Sequence, residues 1–122
     1  MKKLIFAGCL LSLVLLCACK KNQLGGTATI QGLVLHHAKP IPDATIFIKF
    51  NAKDFPGLDT TVYDAKVRSD ANANYIIKCY QGDYYLYGIG YDDQLKGTVT
   101  GGIGVHIRNK ETVTINVPVT EL

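Results

Sequence analysis

The residues of this chain with chemical potential are three histidines, four cysteines, seven tyrosines and a run of glycines. His36 and His37 are adjacent. In an extended strand their rings point to opposite faces, so they share a metal only where a turn bends them together. His106 alternates with Val105 and Ile107 and reads as the exposed side of a strand near a hairpin end. A zinc site needs three or four converging ligands. The histidines therefore read as solvated, with no metal site and no cofactor. Cys79, in Tyr75-Ile76-Ile77-Lys78-Cys79-Tyr80, shares a side with Tyr75 and Ile77 and has no His close in sequence. It reads as a buried, inert thiol. Gly101-Gly102-Ile103-Gly104 lacks the Lys-Ser and helix of a phosphate loop, and no serine-nucleophile motif is present. These readings assign no catalytic residue and predict a protein that is not an enzyme.

The N-terminus carries a different chemistry. Met1-Lys2-Lys3 is basic, and Leu4 to Ala18 is an uncharged, mostly apolar run. As a helix that run reaches roughly 22 Å, short of the ~30 Å hydrocarbon core. The length suits the hydrophobic region of a signal peptide. Leu16-Cys17-Ala18-Cys19 resembles the bacterial lipobox. The resemblance implies cleavage after Ala18 and a diacylglyceryl group on the Cys19 sulfur, with palmitate-like acyl chains. The alternative is an uncleaved N-terminal anchor. One acyl chain binds a bilayer only marginally, whereas two or more hold firmly. Lys20 follows the cysteine where an Asp would retain such a protein in an inner membrane. The expected location is the outer membrane, facing the periplasm. Residues 1–18 are then signal peptide, 19–26 a lipidated tether, and 27–122 a single domain.

Composition agrees with one small globular domain. The chain is 48% hydrophobic and 19% charged, which excludes a disordered tail and a multispanning membrane protein. Lys2 and Lys3 account for two of the 13 basic residues, so the remainder carries 11 against 10 acidic groups. Near-neutrality gives no reason to expect a nucleic-acid partner. Cys9 and Cys17 leave with the signal peptide and Cys19 takes lipid, so Cys79 has no intramolecular disulfide partner.

From Thr27 onward the hydrophobic period is two. Runs at 27–35, 45–50, 60–68, 75–80, 84–91, 98–107 and 111–120 read as strands. Lys39-Pro40-Ile41-Pro42-Asp43, Asp54-Phe55-Pro56-Gly57, the Asp70 to Asn74 segment and Gln81-Gly82-Asp83 read as breakers. About seven short strands predict an all-β, antiparallel β-sandwich with one core.

The order of motifs resembles carboxypeptidase regulatory-like domains. It rests on Gly32-Leu33-Val34, then Pro40-Ile41-Pro42-Asp43-Ala44-Thr45-Ile46. Ser69 to Ile77 and Gly82-Asp83-Tyr84-Tyr85-Leu86 follow in the same order. The resemblance covers about 27–90 and implies a Greek-key sandwich of prealbumin-like or immunoglobulin-like form without catalytic residues. Ala73 stands where the pattern has Gly, which moves the expected left-handed residue to Asn72 or Asn74. A prealbumin-like hydrolase is the least favoured reading, because its C-terminal Tyr-Arg-Gly-Ser is absent.

With Tyr84 and Leu86 inward, as the resemblance suggests, Tyr85, Tyr87 and Tyr91 face outward, and Tyr80 joins them from the neighbouring strand. Exposed tyrosines suit sugars or peptides. The expected function is a non-enzymatic, lipid-anchored envelope module that binds or scaffolds another envelope component, a protein or a glycan. The alternative is a carbohydrate- or peptide-binding lipoprotein using Tyr80, Tyr85, Tyr87 and Tyr91.

Overall fold

The computed structural model describes residues 20–122. Cys19 and residues 1–18, expected to be a signal peptide, lie outside them. Among the described residues there is no α-helix, and no helix is long and apolar enough to cross a membrane. The fold is all-β, built on one long first strand.

Strand β1 (Leu24–His36) has two halves with different neighbours. Its first half pairs antiparallel with β5 (Asn74–Cys79) and parallel with β8 (Thr112–Thr114). Its second half pairs antiparallel with the two-residue β2 (Lys39–Pro40) and parallel with β9 (Val117–Glu121). From β9 the sheet continues through β7 (Gly97–Ile107), β6 (Gly82–Asp92), β3 (Thr45–Phe50) and β4 (Ala65–Arg68), all antiparallel.

The sheet is therefore mixed, where the alternation predicts a purely antiparallel one. The cause lies in the last run of alternating residues, which breaks into β8 and β9 at Asn116. The Asn116 carboxamide oxygen accepts the Leu33 N–H at 3.1 Å, and the Ile115 N–H donates to the Gln31 carbonyl at 2.8 Å. The chain thus follows β1 in parallel across both halves. At the crossing, a Cβ on Gly32 would stand 1.9 Å from the Ile115 carbonyl oxygen, so no side chain fits there.

The alternating faces close around one core. Ile30 and Val34 of β1 meet Ile46 and Ile48 of β3, Tyr84 and Leu86 of β6, Val99 and Ile107 of β7, and Val117 and Val119 of β9. Tyr75, Ile77 and Cys79 complete it from β5. The Tyr75 hydroxyl donates to the Ile115 carbonyl at 2.6 Å, which satisfies its polar end.

Three local expectations change. The run at 60–68 is a strand only from Ala65. Thr60–Val62 forms a 3-10 turn capped by Asp59, whose carboxylate accepts the Thr61 N–H at 3.0 Å and its hydroxyl at 2.6 Å. Such local bonds compete with a ladder. Ala73 itself is the left-handed residue, with φ 68°, rather than Asn72 or Asn74. The Asp70 carboxylate accepts the N–H groups of Asn72 at 2.8 Å and Asn74 at 2.9 Å, and its carbonyl accepts that of Ala73 at 3.0 Å. That ring of bonds holds Ala73 against an intrinsic cost of about 1–2 kcal/mol. Lastly, the segment read as a tether is part of the fold from Asn22. Its N–H donates to the Gln81 carbonyl at 2.8 Å and its side-chain oxygen accepts the Asp83 N–H at 2.9 Å.

Candidate functional site

Alternation along β6 places Tyr85, Tyr87 and Tyr91 on the outer face, opposite Tyr84 and Leu86. Cross-strand pairing sets Phe47 beside Tyr87, and sets Tyr85 beside Gly104. The face is not left open. Residues 51–64 fold across it as a cover loop. Phe55 packs on Tyr85 at 5.8 Å and on Tyr87 at 5.4 Å between ring centroids. Tyr63 stacks on Tyr87 at 5.8 Å and 20°, and lies 5.9 Å from Phe47. The loop backbone rests on β7 itself, because a Cβ on Gly104 would meet the Lys53 carbonyl oxygen at 2.3 Å.

Tyr87 is consequently only 4% exposed, and Tyr85 is half-buried. Tyr91, further along the strand, is 56% exposed. Tyr80 does not join this face. It sits at the β5–β6 turn, where its N–H donates to the Gln23 carbonyl at 2.8 Å and the Lys20 ammonium lies 5.7 Å from its ring centre. The four tyrosines thus form no continuous platform. Phe47, Phe55 and Tyr63 belong to the cluster although nothing in their spacing marks them. Burial, with the neighbouring Tyr85 and Tyr87, pushes the Tyr63 hydroxyl up to about 12.

A second cluster lies at the far end of β1. His36 is buried, at 6% exposure, against the expectation that the histidines are solvated. Its Nδ1 lies 2.8 Å from the buried Asp92 carboxylate. Asp92 also accepts from the Lys39 ammonium at 2.8 Å and from the N–H of Gln94 at 2.9 Å. The Lys39 and His36 bonds hold the Asp92 carboxyl well below the usual carboxylate range. Lys39, paired with Asp93 as well, is raised by the same contacts. His37 adopts φ 56°, so the chain turns at this residue and the two imidazoles lie 4.6 Å apart at 35°. The turn that adjacent histidines require is therefore present. Glu121 of β9 reaches the same point, with Oε1 3.4 Å from His36 Nε2. The contacts of His36 and Lys39 with Asp92, Asp93 and Glu121 join residues 53 and more apart along the chain, so no local pattern could reveal them.

His106 is exposed and pairs with Asp83 at 2.9 Å. Cys79 is fully buried and burial pushes its thiol up. No family model matches this chain, and no curated protein matches it.

Proposed function

We propose that this chain is a lipid-anchored module of the cell envelope that binds or scaffolds another envelope component and does not catalyse a reaction. We read its curled sheet as a prealbumin-like Greek-key sandwich of the carboxypeptidase regulatory-like kind. The observation that carries the reading is the junction between motif and fold. The Leu16-Cys17-Ala18-Cys19 motif ends three residues before Asn22, which among the described residues is the first hydrogen-bonded into the domain. Fully extended, that link spans about 10 Å. Lipid on Cys19 would hold the folded body against the bilayer by one end, with the outer-membrane leaflet facing the periplasm as its location.

The absence of a catalytic role is supported by how the nucleophilic groups are used. Ser69 is buried, its hydroxyl oxygen accepting the Ala44 N–H at 2.8 Å and its proton directed at the Ile41 carbonyl at 3.3 Å. The hollow beside the His36–Asp92 pair is lined by no serine, threonine or cysteine.

The test is expression of the full chain in a bacterium with an outer membrane, followed by fractionation and mass spectrometry of the N-terminal peptide. A mature chain beginning at acylated Cys19 in the membrane fraction is the expected result, with Cys19→Ser blocking both processing and acylation. A free thiol at position 19 on a chain retaining Met1 overturns the reading.

A further inference from the structure

We propose that His36, His37 and Glu121 form a binding site for a divalent transition-metal ion of the zinc class. The inference is independent of the anchor.

Each of the three residues offers one ligand atom, and these atoms lie within 4.8 Å of one another. A tetrahedral ion with bonds of about 2.1 Å separates its ligands by about 3.4 Å. The gap between His36 Nε2 and Glu121 Oε1 is already 3.4 Å. His37 and Glu121 are exposed, so side-chain rotation can close the remaining distance without disturbing the core.

The decisive group is His36. Its ring is buried, yet Nε2 has no hydrogen-bond partner. An orphaned polar atom of this kind is destabilising in a protein interior unless something binds it. The other nitrogen explains its state. Nδ1 is engaged by the Asp92 carboxylate at 2.8 Å, a group that also accepts from Lys39 at 2.8 Å. With Nδ1 engaged, Nε2 is the ring nitrogen left for a ligand, 3.4 Å from Glu121 Oε1 and beside His37. A carboxylate behind a histidine in this way orients the ring and raises its basicity as a ligand.

Charge favours the same occupant. Asp92, Asp93 and Glu121 are the acidic groups of the cluster, and Lys39 is the cation against them, held on Asp92 and Asp93. A dication beside Glu121 is thus offset. Two imidazoles and one carboxylate suit zinc and its neighbours better than calcium or magnesium, which prefer oxygen ligands. Three protein ligands leave a fourth position for water or an outside ligand, and all three residues line one hollow with Leu95.

The experiment is zinc titration of the untagged full chain in detergent, by calorimetry and by competition with a chromophoric chelator. One zinc ion per chain is expected, with micromolar or tighter affinity and a rise in the unfolding midpoint. His37→Ala and Glu121→Gln, both exposed, should each weaken binding at least tenfold and abolish the midpoint rise. His106→Ala, at the opposite end, should leave both unchanged. Zinc should also shift the His36 and His37 imidazole resonances and not that of His106. Absence of stoichiometric binding at 100-fold excess over about 1 μM, or equal affinity in His37→Ala and Glu121→Gln, overturns the site.

Discussion

Gly32 sits where the β8–β9 connection crosses β1, with the Ile115 carbonyl oxygen in the place of a side chain. Gly32→Ala must push two backbones apart, and overpacking of this kind costs about 1–3 kcal/mol. Gly97→Ala is the matched control, since nothing lies within 4 Å of its Cβ position. Urea denaturation should show a lowered midpoint for the first and almost none for the second. Tyr63 offers a second test at this scale. Its folded-state hydroxyl is raised to about 12, above the value near 10 of an unfolded chain. The folded protein therefore keeps a proton that the unfolded chain releases, and stability falls as pH rises from about 10 through 12. Tyr63→Phe should flatten the alkaline part of a stability–pH profile and leave the profile near neutrality in shape.

At the scale of elements, the cover loop 51–64 is tied down by few groups. Asp64 accepts the Phe50 N–H at 2.7 Å, the Tyr63 hydroxyl donates to the Gly57 carbonyl at 3.0 Å, and Phe55 and Tyr63 rest on the sheet. Phe55→Ala removes about 1 kcal/mol of aromatic contact, or roughly fivefold in local opening. Hydrogen exchange should quicken across 51–64 while the global unfolding midpoint moves little. Much of the strand pattern was legible because alternation survives burial. Tyr75, Ile77 and Cys79 face inward together, as do Tyr84 and Leu86. Three features were hidden for a physical reason each. The break at Asn116 depends on a bond to Leu33 across the molecule. The turn at 60–62 looked like strand because Thr60, Thr61 and Val62 are β-branched. The candidate metal cluster needed residues from β1, the β6 end and β9 in one place, and only His36-His37 were neighbours in sequence.

Over the whole molecule, Asn22, three residues after the proposed lipid site, and the His36 cluster flank opposite ends of β1. Its 13 residues span at most about 40 Å at ~3.3 Å each. Asn22, Gln81, His106 and Arg108 share the anchor end. His37, Lys39 and Leu95 share the other. In vesicles containing paramagnetic lipid, the acylated protein should show broadened amides at 81–83 and 108–110, and unaffected ones at 37–39 and 93–96. Uniform broadening would mean that the body lies flat or tumbles freely on its lipid.

Strand β1 takes its parallel partners from residues 112–114 and 117–119. Pairings so distant along the chain are slow to form, because the long loop between them must close first. A nascent polypeptide lacking 112–121 has no partner for one edge of β1 along either half. Such an unfinished ribbon keeps an open edge along its whole length, and the sheet closes only once the last segment is present.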